Sequence, residues 1–232
     1  MLGEDEIHVW HANLAQTTSR ILGFESTLTP DERRRANRFH FQTDRDHFIV
    51  ARGLLRAILS RYLDIKPSQL RFCYSPYGKP ALAKESGGDV LRFNLSHSHG
   101  IALYALTLHR DLGIDLEQIR TDWACEKIAA RFFAPSEVAQ LRALPANMWH
   151  EAFFHCWTRK EAYIKARGEG VSLPLDKFEV SLAPGDSAAL LSVKGDPQEA
   201  SRWSMKELRV GPGYAAALVV QGHDWQPKCW HL

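Results

Sequence analysis

Short stretches in which apolar and polar residues alternate predict β-strands along the chain, because side chains two apart on a strand face the same side. In the first half these stretches cover residues 7–11, 70–74, 93–96 and 101–108. Residues 114–117 follow a tight turn at 109–113 and are predicted to pair back as a further strand. The residues after Gly222 lack such a pattern and are predicted to be irregular.

Apolar residues at helical spacing predict two long helices, over residues 46–63 and 147–166. A shorter helix is predicted to begin before each of them, at Pro30 and at Pro135. Proline fits the first turn of a helix, and the acidic residues that follow suit its positive end. The sequence Leu-Thr-Pro-Asp-Glu at 28–32 is matched by Phe-Ala-Pro-Ser-Glu at 133–137.

The same order of elements therefore occurs twice, with Pro135 lying 105 positions after Pro30. A short helix, a long helix and then strands appear in each half, the later strands being at 175–182 and 214–220. This repeat is too long for a solenoid and predicts two related lobes, residues 1–112 and 113–232. The predicted fold class is α+β, with a pseudo-twofold arrangement in which each lobe packs a helix on a small, mainly antiparallel sheet. Ligands bind preferentially in clefts such as the one between two lobes.

The composition is that of a soluble globular protein, with 45% hydrophobic and 24% charged residues in 232. Neither a secretory signal nor a membrane span is visible, and the four cysteines show no metal-ligand spacing. Free thiols in the cytoplasm are therefore expected. Net charge is only +2, but residues 33–71 hold ten Lys or Arg against three Asp or Glu. A solvated helix face and a site for a polyanion both remain open.

Two carboxylates stand two positions apart in the predicted strand at 114–117. Asp115 and Glu117 therefore project to the same side and repel each other unless a positive group lies between them. A hard divalent cation such as Mg²⁺ is one candidate, since it prefers oxygen ligands. The nearby Arg120 is the other.

The second long helix carries a charged pair on an otherwise apolar segment. Trp157, Glu161 and Lys165 are four positions apart and share a helix face. Many neighbouring positions are aromatic or aliphatic, so this helix is expected to be largely buried. A surface ion pair is one interpretation of Glu161 and Lys165, but charge on a buried helix favours a functional role.

Two further segments suit phosphate binding or plain turns. Phe-Asn-Leu-Ser-His-Ser-His at 93–99 places hydroxyl and imidazole groups at a strand end, and Tyr-Gly-Lys-Pro at 77–80 combines close backbone approach with a charge. The rest of a phosphate-binding P-loop is missing, so that motif is excluded.

Taken together and in this order, the four motifs resemble the surfactin-type (Sfp-type) 4′-phosphopantetheinyl transferases. The matching segments are Gly-Lys-Pro at 78–80, Asn-Leu-Ser-His-Ser at 94–98, Gly-Ile-Asp-Leu-Glu at 113–117 and Trp-Thr-Arg-Lys-Glu-Ala-Tyr-Ile-Lys at 157–165. The likeness continues through Gly-Glu-Gly-Val-Ser-Leu-Pro-Leu at 168–175, and it covers roughly residues 28–180. The family's two-lobed fold agrees with the internal repeat.

The resemblance implies an enzyme that moves the 4′-phosphopantetheine group of coenzyme A (CoA) to a serine of an apo acyl or peptidyl carrier protein, releasing 3′,5′-ADP. Asp115, Glu117 and Glu161 are then the expected Mg²⁺ ligands. Glu161 is the candidate general base, with Glu117 as a substitute, and Lys165 is expected to neutralise the pyrophosphate and assist the leaving group. A CoA-binding or nucleotide-binding protein without catalytic activity is the alternative.

The resemblance also assigns a nucleotide side. Ser96 and His97 match positions that contact the 3′-phosphate of CoA, and Lys79 matches a nucleotide-contacting lysine. The other expected CoA-binding residues are Arg35, Arg52, Gly78 and Pro80, together with Lys165. Glu32 stands where the family pattern has a cation.

The expected partners are CoA and an acidic carrier protein, which would dock on residues 121–133, where Lys127 and Arg131 accompany aromatic side chains. Binding of nucleic acid or a membrane is not expected. The chain length favours a monomer that acts as a pseudodimer.

Overall fold

The computed structural model describes residues 2–232 as a four-stranded and a three-stranded sheet, each covered by a long helix, with two further two-stranded sheets, and so confirms the predicted α+β class. Met1, the first residue of the predicted first lobe, lies outside the described residues. The first half holds, in chain order, β1 (Glu6–Asn13), α1 (Thr18–Thr27), α2 (Pro30–Ala36), α3 (Gln42–Leu63), β2 (Phe72–Tyr74), β3 (Pro80–Leu82), β4 (Leu91–Ser98) and β5 (Ile101–Leu108). The second half holds β6 (Leu112–Gln118), α4 (Cys125–Phe132), α5 (Pro135–Ala143), α6 (Trp149–Arg167), β7 (Phe178–Val180), β8 (Leu190–Val193), β9 (Trp203–Glu207), β10 (Tyr214–Gln221) and β11 (Gln226–His231).

The first sheet has the strand order β11–β1–β5–β4 and contains a strand from the far end of the chain. β11 runs parallel to β1, whereas the other pairs are antiparallel. The prediction that the residues after Gly222 are irregular is therefore wrong. Trp230 of β11 stacks on Trp10 of β1 with ring centroids 5.1 Å apart, a contact between distant parts of the chain that local alternation does not indicate. The predicted lobe boundary after residue 112 therefore separates the two long helices but does not separate the two sheets, since β11 belongs to the first sheet.

The second sheet has the order β6–β10–β9. β6 does not pair back onto β5, because β5 already has β1 and β4 as neighbours on its two edges. Instead β6 pairs antiparallel with β10, with Asp115 opposite Ala217. Asp115 and Glu117 consequently lie at the junction of the two sheets.

Each lobe has its own apolar cluster, and a third cluster joins the two lobes. Val50, Leu54 and Ile58 of α3 pack on the first sheet, and Phe153 and Tyr163 of α6 belong to the cluster on the second sheet. The third cluster joins the two sheets and includes residues from β1, β5, β6 and β10, among them Ile7, Leu103, Ile114 and Leu218. Burial of this shared cluster fixes one lobe against the other.

The two lobes repeat one buried charged arrangement. In α2, the carboxylate of Glu32 accepts a hydrogen bond from its own helix start, Thr29 N (2.9 Å), and pairs with Arg56 of α3 (2.7 Å). In α5, Glu137 accepts from Ala134 N (2.9 Å) and pairs with Lys160 of α6 (2.8 Å). Each pair locks a short helix onto a long one.

Candidate active site

A cleft of about 660 Å³ lies between the lobes, and every site residue predicted from the sequence lines it except Lys79. Side chains from α3, β4, β6 and α6 converge there. The predicted residues in its wall are Arg35, Arg52, Gly78, Pro80, Ser96, His97, Asp115, Glu117, Glu161 and Lys165.

The close approach of β6 to α6 depends on Gly113. A Cβ atom at this position would lie 2.0 Å from the carbonyl oxygen of Ala162 and 2.4 Å from the amide nitrogen of Ala166. Only glycine permits such contact with helix backbone. The glycine thereby brings the carboxylates of β6 beside Glu161 and Lys165 of α6.

Asp115 is at the centre of this arrangement and is only 3% exposed. Its Oδ1 atom accepts hydrogen bonds from Lys165 Nζ (2.6 Å) and Ser96 Oγ (2.9 Å). Its Oδ2 atom is buried and has no hydrogen-bond partner among residues 2–232. A buried carboxylate oxygen without a partner is costly, so this atom needs a ligand that the described residues do not supply.

The carboxylates of Glu117 and Glu161 have too little positive charge around them to offset their burial. Burial raises the pKa of Glu161 to about 6, with a further contribution from the negative charge of Asp115. Burial and Asp115 likewise raise the pKa of Glu117, although Ser98 Oγ donates a hydrogen bond to it (3.0 Å). The site therefore favours an added positive charge.

The donor set fits a hard divalent cation. Asp115, Glu117 and Glu161 offer only oxygen ligands, which Mg²⁺ prefers, and Asp115 Oδ2 is unpartnered. Within the described part of the chain, however, no three His, Cys, Asp or Glu side chains are already gathered around one point that could hold a metal ion. Binding would therefore require the glutamate side chains to turn toward Asp115.

The wall formed by the first lobe is cationic. Arg52 donates to Glu32 Oε1 (2.5 Å) and to Tyr74 Oη (2.6 Å), and its guanidinium lies 4.3 Å from the ring centroid of Phe72. Arg35 lies over the ring of Phe48. These contacts hold the guanidinium groups at the cleft. Glu32, which stands where the family pattern has a cation, is here the buried partner of Arg52 and Arg56.

Ser96 and His97 occupy different environments although they are adjacent on β4. Ser96 Oγ donates to Asp115 and accepts from Lys165 Nζ (3.0 Å), so it belongs to the carboxylate side. His97 is exposed at the cleft. Partial loss of hydration where the cleft walls surround the ring, together with the nearby charges of Lys165 and His47, lowers its pKa.

Lys79 lies outside the central cleft. Its ammonium group donates to the carbonyl oxygens of Leu112 (3.0 Å) and Ala166 (3.2 Å), and it therefore connects the β2–β3 hairpin to β6 and α6. Burial lowers its pKa to about 8. Gly78, with φ of 83°, makes the turn that precedes it. A nucleotide contact by Lys79 stays a prediction.

Sequence reasoning missed the function of Asn94 and Ser98 in joining the sheets. Asn94 Oδ1 accepts from Ile114 N (2.9 Å), and Ser98 Oγ accepts from Gln118 N (3.2 Å). With Ser96 these residues occupy alternate positions of β4 and all face β6. The recurrence of a polar residue at every second position from 94 to 98 is the sequence pattern that indicates this shared face.

Comparison with known proteins agrees with this arrangement. Residues 111–219 match the family model described as the 4′-phosphopantetheinyl transferase superfamily, and residues 12–108 match that described as 4′-phosphopantetheinyl transferase, N-terminal. The chain is 43% identical over 227 residues to 4′-phosphopantetheinyl transferase HetI of Nostoc sp., covering 98% of this chain and 92% of that protein. It is 31% identical over 202 residues to 4′-phosphopantetheinyl transferase Sfp of Bacillus subtilis, covering 87% and 86%.

Among solved structures, the holo-[acyl-carrier-protein] synthase of Thermotoga maritima aligns with 48% of this chain and 62% of its own, at 24% identity and a TM-score of 0.38. The family models and the two relatives establish that the chain belongs to the 4′-phosphopantetheinyl transferase superfamily. The family and enzyme class expected from the four motifs are thus confirmed. No helix in residues 2–232 has the length and apolar character needed to cross a membrane.

Proposed function

We propose that the cleft between the lobes transfers the 4′-phosphopantetheine group of CoA to a serine hydroxyl of an apo acyl or peptidyl carrier protein, giving the holo carrier and 3′,5′-ADP. The proposal rests on the chemistry of the two walls of the cleft, one of which carries carboxylates and the other arginines. Asp115, Glu117, Glu161 and Lys165 face the cleft from the second lobe side, and arginines of the first lobe face it from the other.

The cationic wall suits the phosphates of the nucleotide. Arg52 is held by Glu32 and Tyr74, and a guanidinium fixed in this way loses little side-chain entropy on binding phosphate. Arg35 and His97 lie along the same cleft. Gly78 and Pro80 would shape the adenine end of the site, and Ser96 would link the phosphate side to Asp115.

Asp115, Glu117 and Glu161 would hold Mg²⁺, with Asp115 Oδ2 as the oxygen that needs a partner. When bound, the ion supplies positive charge that neutralises the pyrophosphate of CoA.

The chain's own residues account for proton and charge movement. The serine oxygen of the carrier attacks the β-phosphorus that bears pantetheine, and the bond from this phosphorus to the oxygen of 3′,5′-ADP breaks. Glu161 accepts the serine proton, because a carboxyl with a pKa of about 6 is ionised at neutral pH and yet more basic than an ordinary glutamate. Glu117 is the substitute base. Lys165, which already reaches Asp115, stabilises charge on the departing phosphate.

An acidic carrier would dock on the surface of residues 121–133. On α4, Lys127 and Arg131 are exposed and Phe132 is 39% exposed, whereas Phe133 is buried in the core. This surface offers charge for the carrier and one apolar contact. Both walls of the cleft come from one chain, which supports a monomeric enzyme, and the cysteine usage supports action in the cytoplasm.

The test is a transfer assay read by mass. Wild-type protein, CoA and Mg²⁺ are incubated with apo carriers of the fatty-acid, polyketide and peptide types, and we expect addition of phosphopantetheine to the carrier serine. Binding of CoA without addition to any of these carriers would reject the reaction proposed for this cleft.

Asp115→Ala is expected to reduce transfer to background, because it removes the central carboxylate, while the melting temperature changes little. The matched control is Asp224→Ala, which replaces an exposed aspartate outside the cleft and should leave transfer unchanged. Wild-type activity in Asp115→Ala would contradict the site assignment.

A further inference from the structure

A second cavity, of about 690 Å³, lies on the first lobe and shares no lining residue with the catalytic cleft. It is formed where the last turn of α3 meets β1 and β11. Its volume is in the range of cavities that enclose small organic ligands.

The walls of this cavity are mostly apolar. Trp10, Tyr62 and Trp230 form an aromatic side, in which the two tryptophans are stacked. The remaining apolar side chains are aliphatic: Leu2, Leu63, Val90, Leu91 and Leu108. Val90 is 45% exposed although it is a large aliphatic residue. An aliphatic ligand would remove this surface from water.

The polar groups in the wall are already paired with one another. Tyr62 Oη accepts from Trp10 Nε1 (2.9 Å) and shares a hydrogen bond with His8 Nδ1 (2.7 Å). The other ring nitrogen of His8 lies 3.0 Å from Glu6 Oε2. Because these groups are satisfied, the interior favours a ligand body without polar atoms.

Arg61 is the exception. Arg61 is exposed, at the edge of the cavity, with its guanidinium 5.2 Å from the ring centroid of Trp10, and within residues 2–232 it has neither a carboxylate partner within 4.0 Å nor a hydrogen-bond acceptor. Arg52 and Arg56, one to three turns earlier on the same helix, both pair with Glu32. A cation without a partner at an apolar cavity is complementary to the head group of an amphipathic anion.

We propose that this cavity binds a medium-chain carboxylate, with the aliphatic chain among the leucines and Val90 and the carboxylate accepting hydrogen bonds from Arg61. The site is separate from the transfer cleft, and its occupation does not require CoA or a carrier protein.

Calorimetric titration of the full chain with decanoate tests the proposal, with 1-decanol as the neutral probe of similar shape. Decanoate is expected to bind saturably at one site and about tenfold more tightly than decanol, as expected when a charged hydrogen-bonding partner is gained. Arg61→Met keeps an apolar stem and should lower decanoate affinity to that of decanol. Val90→Trp, which fills the cavity from an exposed position, should weaken both ligands.

Arg20→Met is the matched control, since Arg20 also lies over an aromatic ring, that of Phe24 at 5.8 Å, but is outside the cavity. It should leave both affinities unchanged. Absence of saturable decanoate binding, or an equal loss in Arg61→Met and Arg20→Met, would overturn the proposal. Retained binding in Val90→Trp would place the ligand elsewhere and would overturn it as well.

Discussion

The two lobes share a scaffold but present opposite chemistry to the cleft. In each, a buried glutamate near the start of a short helix pairs with a cation from the following long helix: Glu32 with Arg56, and Glu137 with Lys160. Each cation also donates to carbonyl oxygens of the segment that follows, Leu70 for Arg56 and Phe178 for Lys160. The lobes differ on the cleft side of the long helix.

α3 presents Arg52 to the cleft, whereas α6 presents Glu161 and Lys165. The first lobe thus offers fixed positive charge, and the second offers Glu117 and Glu161, whose pKa values are raised by burial. The repeated buried pairs therefore maintain the architecture, while a few residues on one face of each long helix make one wall suitable for binding phosphate and the other for catalysis.

The largest expected effect is on stability, where replacing the buried cation should cost more in the second lobe than in the first. Lys160→Met leaves Glu137 without its cation, and breaking such a buried pair costs about 3–5 kcal/mol. Arg56→Met should cost about half as much, because Arg52 still pairs with Glu32. Urea unfolding of both variants measures the difference. Equal losses would show that Arg52 does not compensate in the first lobe.

The substitution Arg52→Met distinguishes a role of Arg52 in binding CoA from a role in stabilising the fold. Since Arg56 remains on Glu32, unfolding should be affected less than in Arg56→Met. The loss of a phosphate contact should raise KM for CoA about tenfold with a smaller change in kcat. Steady-state kinetics at varied CoA gives both values. An unchanged KM would limit Arg52 to a structural role.

The smallest expected effect concerns Lys79, which bridges the lobes. Its pKa is lowered from 10.5 to about 8 in the fold, so between these values the unfolded chain binds more protons than the native protein. Stability contributed by Lys79 therefore rises with pH from about 8 toward 10.5. The unfolding free energy of wild type should rise relative to that of Lys79→Met by about 1 kcal/mol between pH 8 and 9, so that the two diverge. A gap that narrows over this range would be inconsistent with the lowered pKa.

Much of the site could be predicted because its signals are local. The spacing of Glu161 and Lys165 places them on one helix face, and the spacing of Asp115 and Glu117 places them on one strand face. The structure then brings these two faces together across Gly113. The repeat of Pro30 and Pro135 also indicated two lobes, because helix starts have strong sequence signals.

The features that sequence reasoning missed depend on contacts between distant segments. β11 lacks alternation because it is an edge strand, held through its backbone to β1 and through Trp230 to Trp10. Lys79 has the appearance of a ligand-binding lysine in a turn, but its ammonium reaches carbonyl oxygens of two other elements. No local pattern specifies either contact.

Single-turnover transfer by Glu161→Gln tests whether Glu161 is the general base, since this change removes one charge from the catalytic wall and keeps the side-chain shape. The assay uses saturating CoA, Mg²⁺ and an apo carrier, with Glu151→Gln, an exposed position on the same helix, as the control. We predict that Glu161→Gln loses about a thousandfold in rate, within the range for removal of a general base, while Glu151→Gln matches wild type. A Glu161→Gln rate within about tenfold of wild type, well below the usual effect of removing a general base, would contradict this role of Glu161.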